Sequence, residues 1–440
     1  MSLLFLILDS ISFVASVALG LILRTGAFNY SLFIANINIL TVPFFFSVII
    51  LWIFSFYDFK YINRKVFDYK NIMIAFFIDF FFSAGLIYFL ASLFHATTPK
   101  IALIIILIIY FIFVYLTRTF YKNIRLNIKK TTVVVLGKNH TMDTIIAEMA
   151  KYSNYAVLLS SMDVTDDILN TINKKIIDID FVIISNELLE TSQKWQQDLL
   201  LKGAIIKSDL DFFEELFSRV PRVALDNNRW LLEYISSRRI RIESFVKRLI
   251  DIAGSLILLP FCLFFGIIIY FFILIIDKQF PLFVQERVGL NGKTIYIYKF
   301  RTMIKETEMI TKMGKFLRKF RLDEFPQIIN ILVGDTSFVG PRPLWTKEYE
   351  YLNSFISNHP LRTIIRPGIT GWAQLNYKAP NFSAVVDNPT EENKKLFYRD
   401  AQKRLAYDLW YIKNASIFLD IEIIFRTIKR MFISDKKIVK

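Results

Sequence analysis

Four long apolar stretches lie in the first third of the chain, at about 2–23, 39–57, 72–94 and 101–117. Each is long enough to cross the hydrocarbon core of a bilayer as a helix. The first stretch lacks the early basic region and the small-residue cleavage site of a signal peptide, so we expect it to be retained. The pattern therefore predicts a bundle of four transmembrane helices within residues 1–120.

Basic residues in the links between these stretches predict the orientation of the bundle. The link between the second and third stretches holds Lys60, Arg64, Lys65 and Lys70, and the fourth stretch is followed by Arg118, Lys122, Arg125, Lys129 and Lys130. The other two links hold one basic residue each, Arg24 and Lys100. Because basic residues favour the cytoplasmic side, both chain ends and everything after Lys122 are predicted to be cytoplasmic.

Two acidic residues, Asp9 and Asp79, lie within the predicted spans. An ionisable group at that depth is by default a candidate for function. Neither residue has a basic partner in a neighbouring predicted span, so we favour hydrogen bonding between helices as their role.

From about 131 to 240 the pattern changes to that of an α/β domain. Buried-strand runs occur at "TTVVVLG" (131–137), "DFVIIS" (180–185) and "GAIIKS" (203–208), with helical patterns between them. This alternation predicts a Rossmann-like domain. Gly137 is followed by "KNHTMD", which has none of the further glycines that let a backbone approach a pyrophosphate. We therefore favour a degenerate domain with a structural or regulatory role over a working dinucleotide site.

A second long apolar run covers 249–276, with Asp251 as its only charge. Its length permits a full crossing of the membrane, which would place the two soluble regions in opposite compartments. Basic residues flank it on both sides, Lys247 before it and Lys278 after it, and Pro260 removes a backbone donor near its middle. These features favour a re-entrant helix that breaks at Pro260, dips into one leaflet and returns.

The segment "QERVGLNGKTIYIYKFRTM" (285–303) has the pattern of a β-hairpin, with Asn291-Gly292 at the tight turn. Lys299 and Arg301 are two positions apart in the second strand, so their side chains are predicted to lie on the same face. Two exposed basic residues on a strand would not by themselves indicate a site.

Two adjacent carboxylates, Asp323 and Glu324, open the segment "DEFPQIINIL", which has the apolar periodicity of a helix. Pro326 is tolerated only in the first turn of a helix, so both acids are predicted to lie at its N-terminus. Free N–H groups and the helix dipole favour ionised carboxylates there, and they also favour an approaching phosphate. Capping would explain one acid of this pair.

Capping does not explain the cations around the pair. Arg318 and Arg321 precede it, and "VGPRP" holds Arg342 between two prolines, which restricts the backbone that presents its guanidinium. Carboxylates that face several cations are typical of phosphoryl transfer, in which a carboxylate attacks phosphorus while cations and Mg²⁺ neutralise the phosphate oxygens.

Composition agrees with a membrane protein that handles phosphate. Of the 440 residues 54% are apolar and 44 are phenylalanine, and the formal net charge is +15. A strongly basic surface suits anionic lipid or a phosphorylated substrate, and no nucleic-acid-binding motif is found. Cys262 is the only cysteine, and the three histidines are far apart in the sequence, which excludes disulfides and argues against a thiolate or histidine metal site.

Six motifs resemble, in order and approximate spacing, those of bacterial polyprenyl-phosphate sugar-1-phosphate transferases, the monotopic phosphoglycosyl transferases. They are "KRLIDIAGSLILL", "QERVGLNGK", "YKFRTM", "LRKFRLDEFPQIINILVGDTSFVGPRP", "RPGITGWAQ" and "YDLWYIKNASIFLDIEII". The resemblance is dense over about 245–430. The four spans and the Rossmann-like domain resemble the long form of that family, which implies a catalytic α+β domain over 242–440 with the membrane-dipping helix at about 249–276.

The resemblance implies transfer of a sugar 1-phosphate from a UDP-sugar to undecaprenyl phosphate, with release of UMP, at the cytoplasmic face of the bacterial inner membrane. This is the first membrane step in the synthesis of exopolysaccharide, capsule, O-antigen or glycoconjugate. It also implies contact with membrane lipid and is compatible with a homodimer. By resemblance, Asp323 forms an aspartyl-phosphosugar intermediate and Glu324 holds Mg²⁺. The remaining implied site residues are Arg342 for the nucleotide diphosphate, Lys299, Arg301 and Arg318 for phosphates, and Asp408 for the metal and the geometry of the site.

The sequence departs from the family pattern where Leu259-Pro260 arrives about one turn early and where Tyr377 replaces a glycine after "RPGITGWAQLN". Two other classes remain open. A four-span transporter would carry its charged residues among the spans, and a membrane-anchored nucleotide sensor would need the phosphate loop that the middle domain lacks. The sequence does not identify the sugar.

Overall fold

The computed structural model describes residues 2–53, 56, 69–94, 100–126, 131–150, 155–161, 172, 179–190, 194–225, 238–304, 309–356, 358–377, 382 and 390–432. The chain divides into two compact units. One comprises Met1–Thr132 and Met149–Ala156, and the other comprises Val133–Glu148 and Val157–Lys440.

The first unit consists mainly of four helices at the positions of the four predicted apolar stretches. They are α1 (Ser2–Thr25), α2 (Tyr30–Ile53), α3 (Tyr69–Phe94) and α4 (Lys100–Leu126). Among all described residues of the chain, two helices are long and apolar enough to cross a membrane, Leu4–Thr25 and Phe245–Asp277. A third is counted if the two parts of α2, bent by 52°, form one span. The protein is therefore a membrane protein, and spans at α3 and α4 stay predictions.

An ion pair buried in the first unit corrects one expectation from the sequence. Arg118 donates two hydrogen bonds to the carboxylate of Asp9, from Nη1 at 2.6 Å and from Nη2 at 2.7 Å, and both side chains are fully buried. Asp9 therefore has a basic partner, because α4 continues past the predicted end of the fourth stretch and carries Arg118. Asp79 accepts a hydrogen bond from Ser47 at 2.7 Å, which agrees with the expected bonding between helices.

The middle of the chain forms a four-stranded sheet. Its strands are β1 (Thr131–Leu136), β2 (Tyr155–Ser161), β3 (Phe181–Ile184) and β4 (Ile206–Ser208), in the order β2-β1-β3-β4. β1 pairs in parallel with β3, and β3 with β4. The three predicted strands are present, and β2 is an addition. The helices between them are α5 (His140–Met149), α6 (Asn186–Glu190) and α7 (Lys194–Leu201).

A buried carboxylate lies at the carboxyl ends of β1, β3 and β4. Asp209 follows β4, and its oxygens accept hydrogen bonds from Nδ2 of Asn139 at 2.7 Å and from the backbone N–H of Asn186 at 3.0 Å. Burial raises the pKa of Asp209 above its ordinary range. In α/β sheets of this kind the phosphate of a ligand binds at this edge. Asp209 therefore occupies backbone and side-chain donors that a bound phosphate would need.

The predicted break at Pro260 is wrong. Helix α10 (Arg238–Phe272) passes through Pro260 without interruption and continues as a π-helical turn, Ile273–Asp277. Proline inside a helix costs about 3 kcal/mol, because one hydrogen bond is lost and the ring crowds the preceding turn. The helix packs against the domain on both sides of Pro260: a Cβ added at Gly254 would lie 3.0 Å from the ring of Phe338, and one added at Gly266 would lie 3.7 Å from Phe300.

The apolar part of α10 and the π-helical turn after it contact the following domain at two separate places. Oδ1 of Asp251 accepts hydrogen bonds from the hydroxyl of Ser337 at 3.0 Å and from the backbone N–H of Phe338 at 3.2 Å. About 22 residues further on, Ile273 is fully buried in a cluster with Phe300. The opposite face of α10 is apolar and exposed, with Leu256, Ile257, Phe261, Phe264, Ile267 and Phe271 on it.

The remainder of the second unit is built from short elements. A hairpin joins β5 (Leu282–Val288) to β6 (Thr294–Phe300), and its turn has the predicted positive φ at Asn291 (53°) and Gly292 (76°). Two further strands, β7 (Ser337–Val339) and β8 (Gly368–Thr370), pair in parallel. The helices are α8 (Asp209–Phe217), α9 (Arg222–Leu225), α11 (Lys312–Lys319), α12 (Gln327–Val333), α13 (Thr346–Phe355), α14 (Trp372–Asn376), α15 (Glu391–Asn414) and α16 (Ile417–Phe432).

The largest hydrophobic core of this unit includes the segment that follows the four-stranded sheet. Val220 and Leu225, in and beside α9, are buried in the same cluster as Leu352 and Leu405 of α13 and α15. Nε1 of Trp372 donates a hydrogen bond to the carbonyl oxygen of Ser218 at 2.9 Å. The core therefore crosses the boundary that the sequence suggested near residue 240, and α8 and α9 pack as part of the C-terminal domain.

Candidate active site

The two adjacent acids lie on a short 3₁₀ turn, Leu322–Glu324, which precedes α12. The helix itself begins at Gln327, with Pro326 as its N-cap. Asp323 and Glu324 were predicted to lie at the start of this helix, but they lie about one turn before it. The reason is that the N–H of Glu324 bonds to the carbonyl of Arg321, an i to i−3 bond that winds this turn more tightly than an α-helix.

Arg321 has a φ angle of 57°, in the left-handed region that is uncommon for a residue with a side chain. It is the N-cap of the 3₁₀ turn, so it reverses the chain between α11 and the two acids. Such a conformation costs on the order of 1–3 kcal/mol and is concentrated at functional sites. The backbone that presents the acids is thus held in place by the surrounding structure against its local preference.

A cavity of about 680 Å³ lies beside the acid pair. Six of the predicted site residues line it, namely Lys299, Arg301, Arg318, Asp323, Glu324 and Arg342. Residues that are far apart in sequence therefore converge as expected. The cavity has many more cationic than acidic side chains among the described residues, which suits a ligand with several negative charges.

The hairpin and α11 position three of the cations. Lys299 lies on β6, and Arg301 follows the end of that strand, where its Nε donates a hydrogen bond to the carbonyl of Phe280 at 2.9 Å. Both residues line the cavity, as does Phe300 between them, so the common face of Lys299 and Arg301 stays a prediction. Arg318 comes from α11, and its Nε donates to the hydroxyl of Thr302 at 2.8 Å.

The two acids differ in their surroundings. Oε1 of Glu324 lies 3.8 Å from Nζ of Lys299 and 3.6 Å from Nη1 of Arg321. Oδ1 of Asp323 is buried and has no hydrogen-bond partner. Burial and the neighbouring charge of Glu324 raise the pKa of Asp323, although Lys299 and Arg321 act in the opposite direction. Burial also lowers the pKa of Lys299.

Asp408 is the one predicted site residue that does not line the cavity. It lies on α15, is 2% exposed, and accepts a hydrogen bond from Nη2 of Arg362 at 2.8 Å. The same nitrogen of Arg362 donates to the carbonyl oxygen of Arg342 at 3.0 Å. Asp408 thus supports the backbone that presents Arg342, and the structure does not place it in contact with a ligand of the cavity.

Several residues that line the cavity were not predicted from the sequence, among them Phe283, Gln285, Arg287 and Trp345, whereas Arg321 was noted there as a cation beside the acid pair. The register of the hairpin contains the signal for the first three. Phe283 pairs with Lys299, so the alternate residues of β5 lie on the same face as Lys299. Burial and the charge of Arg342 lower the pKa of Arg287 to about 9.

The acid pair fits a magnesium ion that is bound partly by the substrate. Mg²⁺ is commonly held by one or two carboxylates, with water and phosphate oxygens as the other ligands. Asp323 and Glu324 are the acids on the described wall of the cavity, and the orphaned Oδ1 of Asp323 leaves an oxygen available. Within the described residues there is no cluster of three or more ligating side chains that would make a complete protein site.

Comparison with known proteins identifies the family. Residues 242–434 match the model of the family described as bacterial sugar transferase. A UDP-N-acetylgalactosamine-undecaprenyl-phosphate N-acetylgalactosaminephosphotransferase of Aeromonas hydrophila is 35% identical over 202 residues, which cover 43% of this chain and 44% of that protein. A UDP-glucose:undecaprenyl-phosphate glucose-1-phosphate transferase of Klebsiella pneumoniae is 37% identical over 205 residues, which cover 44% and 41%.

A shorter relative is matched over nearly its whole length. An uncharacterized sugar transferase of Bacillus subtilis (strain 168) is 34% identical over 203 residues, 43% of this chain and 89% of that protein. The chain belongs to the bacterial sugar transferase family. The matched part spans less than half the length of the Aeromonas and Klebsiella proteins.

Proposed function

We propose that the protein transfers a sugar 1-phosphate from a UDP-sugar to undecaprenyl phosphate and releases UMP. Family membership and the activities for which the Aeromonas and Klebsiella relatives are named support this reaction class. The observation in this chain that carries the proposal is Asp323. It is a buried carboxylate with an unpartnered oxygen, on the wall of a cavity that is lined by cations. A buried polar atom without a partner calls for an explanation, and catalysis is one.

In the proposed first step, a carboxylate oxygen of Asp323 attacks the phosphorus that is attached to the sugar. A bond forms between that oxygen and phosphorus, and the bond from phosphorus to the oxygen shared with UMP breaks. UMP leaves with the electron pair, and the sugar phosphate remains on Asp323 as an acyl phosphate. The raised pKa of Asp323 is consistent with a carboxylate that is more basic than one in water.

In the second step, a phosphate oxygen of undecaprenyl phosphate attacks the same phosphorus. The bond between phosphorus and Asp323 breaks, which restores the carboxylate and gives undecaprenyl diphosphate sugar. Neither step consumes a proton. The cavity therefore has to stabilise charge on the phosphate oxygens rather than supply an acid.

Four cations of the cavity are suited to that task. Arg318 and Arg342 present planar guanidinium groups that can bind two oxygens at once, and Lys299 and Arg301 add positive charge from the hairpin side. Lys299 also lies near Glu324, so one residue connects the acid pair with the phosphate-binding side of the cavity. Arg301 and Arg318 are fixed by neutral acceptors, which leaves their charge available to a ligand.

We propose Mg²⁺ as the cofactor, held by Glu324 with Asp323 as its neighbour. When bound, the ion would neutralise phosphate oxygens and favour the departure of UMP. Glu324 would hold it, while Lys299 and Arg321, which lie 3.8 and 3.6 Å from its Oε1, orient the carboxylate.

The proposed location is the cytoplasmic face of the bacterial inner membrane. The apolar exposed face of α10 supports contact with lipid, because exposed apolar surface of this extent marks a membrane or protein interface. An acceptor with a long polyprenyl chain would reach the cavity from that lipid.

Assembly as a homodimer also belongs to this proposal, and the mass of the purified protein in detergent would test it.

The decisive test is the release of UMP from UDP-sugars by the full chain in detergent or nanodiscs, with Mg²⁺ and undecaprenyl phosphate. UDP-glucose, UDP-galactose and UDP-N-acetylgalactosamine should be compared, because the cavity does not define the sugar. Without the lipid we expect at most one equivalent of UMP for each protein, and continuous turnover should follow its addition. If no UDP-sugar yields UMP, the proposed function is wrong.

A further inference from the structure

Arg287 is a nearly buried cation on the wall of the cavity. It lies on β5, is 9% exposed, and its guanidinium is held from three sides by uncharged groups. Nη2 and Nε donate to Oε1 of Gln285 at 2.6 and 3.2 Å, and Nη1 donates to the carbonyl oxygen of Pro343 at 3.2 Å. The ring of Trp345 covers it, with the guanidinium carbon 5.3 Å from the ring centroid.

Glu348 is the acid that acts favourably on the charge of Arg287, and it does so from beyond the distance of an ion pair. Among the described residues, no carboxylate oxygen lies within the 4.0 Å of an ion pair with it. Buried charges are ordinarily paired, because an isolated one loses the free energy of hydration. Arg342 adds to this cost, since burial and the charge of Arg342 are the two largest causes of the lowered pKa of Arg287.

Arg362 shows how the same domain treats a buried arginine that has a structural role. It is 5% exposed, and it forms an ion pair with Asp408 at 2.8 Å. Arg362 therefore has an internal counter-charge, whereas Arg287 and Arg342 face the cavity and lack an ion pair among the described residues. Two cavity-facing cations that repel each other in the free protein would be stabilised by a ligand with two adjacent negative groups.

We propose that Arg287 and Arg342 together bind the diphosphate of the nucleotide donor, and that Gln285, the carbonyl of Pro343 and Trp345 hold the Arg287 guanidinium in position for it. This inference rests on the proposed function and adds Arg287 to the donor site. Its three restraints fix the planar fork before the ligand arrives, so little side-chain freedom is lost on binding. The N–H groups of the fork that are not used by Gln285 and Pro343 are available to phosphate oxygens.

Direct binding tests the inference without turnover. The full chain in nanodiscs is titrated with UDP and, separately, with inorganic pyrophosphate, for the wild type, Arg287→Met and Arg287→Lys. We expect Arg287→Met to weaken both ligands by about ten- to a hundredfold, as for loss of a charged hydrogen bond. Arg287→Lys should be intermediate, because lysine keeps the charge and loses the fork.

Thermal unfolding without ligand distinguishes a binding role from a structural one. Because Arg287 forms no ion pair and is buried, Arg287→Met should leave the Tm unchanged or raise it, whereas a given concentration of UDP should raise the Tm of this variant less than that of the wild type. Arg362→Met is the matched control. It leaves Asp408 buried without its partner, so its ligand-free Tm should fall by several degrees.

Each outcome decides the inference. Weakened binding of UDP and pyrophosphate with an unchanged or higher Tm supports it. Wild-type affinity in Arg287→Met overturns it and leaves the proposed function standing, and weakened binding together with a lower ligand-free Tm also overturns it, because Arg287 would then be structural. If the wild type itself binds no UDP, the proposed function fails and this inference fails with it.

Discussion

Nζ of Lys299 lies 3.8 Å from Oε1 of Glu324, which connects the second strand of the hairpin with the turn that carries both acids. Arg321 approaches the same oxygen at 3.6 Å. Glu324 is therefore held by two cations, whereas the adjacent Asp323 keeps one oxygen without a partner. In the proposed mechanism this difference makes Glu324 the positioned carboxylate and Asp323 the reactive one.

Asp323→Asn should abolish transfer, because an amide does not attack phosphorus as a carboxylate does. We expect UMP release to fall by about three orders of magnitude or more, and covalent labelling by a radiolabelled UDP-sugar to disappear. Asp335→Asn is a suitable control, since Asp335 follows α12 outside the cavity and accepts a hydrogen bond from Asn330 at 3.3 Å. Near-normal turnover by Asp323→Asn would exclude the aspartyl intermediate.

Removal of Mg²⁺ should stop the reaction. Treatment of the full chain with EDTA should abolish UMP release, and added Mg²⁺ should restore it. Glu324→Gln should require a higher Mg²⁺ concentration for half-maximal activity and should have a lower maximal rate, because an amide is a weaker ligand for a hard cation. Full activity in EDTA would contradict the proposed Mg²⁺ cofactor and would show that the lysine and arginine side chains suffice to neutralise the phosphate oxygens.

Both ends of α10 should face the same side of the membrane. Asp251, near the start of the apolar run 249–276, and Ile273, near its end, contact the same domain, which a run that emerges on opposite sides could not do easily. Lys247→Cys and Lys278→Cys, each in a Cys262→Ser background, should both react with an impermeant maleimide from the cytoplasmic side. Lys247 forms an ion pair with Asp420, so a loss of fold should be checked for that variant. Labelling of position 278 from the opposite side alone would show a full crossing.

The C-terminal domain should need α8 and α9 for its stability. A fragment that begins at Ile242 loses Val220 and Leu225 from the core, and each buried apolar side chain contributes about 1.5–3 kcal/mol. A fragment that begins at Ser208 keeps both residues and the N-cap of α8, where Ser208 accepts from the N–H of Asp211. We expect both fragments to release UMP, and the shorter one to unfold at a clearly lower temperature.

Two results would contradict this expectation. Equal unfolding temperatures would mean that the packing of α8 and α9 adds little to the stability of the domain. Complete loss of activity in a folded fragment from Ile242 would mean that the preceding segments contribute directly to the site.

The four-stranded sheet should not bind a dinucleotide. Asp209 already occupies Nδ2 of Asn139 and the N–H of Asn186 at the edge where a phosphate would bind. NAD, NADP and CoA should therefore leave the unfolding temperature of the full chain unchanged at 1 mM, on the order of physiological concentration or above. Asp209→Asn should lower that temperature by removal of a charged acceptor, at a cost of about 1–3 kcal/mol. An increase with NAD that disappears in Asp209→Asn would contradict this assignment.

Several elements followed from the sequence because their signals are local. Asn291-Gly292 favours positive φ angles, and the structure has the hairpin turn at that place. Apolar runs of helical length predicted α1 to α4, and runs of buried-strand type predicted β1, β3 and β4. The motifs also identified the family and six charged residues of the cavity, namely Lys299, Arg301, Arg318, Asp323, Glu324 and Arg342. In each case neighbouring residues along the chain contain the information.

Tertiary structure decided the features that depend on distant residues. The sequence did not reveal Arg118 as the partner of Asp9, because the two lie on helices at opposite ends of the first unit's sequence. It predicted a break at Pro260, whereas α10 continues through this residue and packs against Phe338 and Phe300 on either side of it.

The same limit applies to the site. Asp408 and Arg287 are both charged residues within family motifs, and the sequence does not show which of them faces the cavity. In the structure Asp408 forms an ion pair with Arg362 away from the cavity, whereas Arg287 lines the cavity. The sequence determined which charged residues and local elements are present. Only long-range packing decided which charges are paired internally, because burial and pairing depend on side chains that converge from separate parts of the chain.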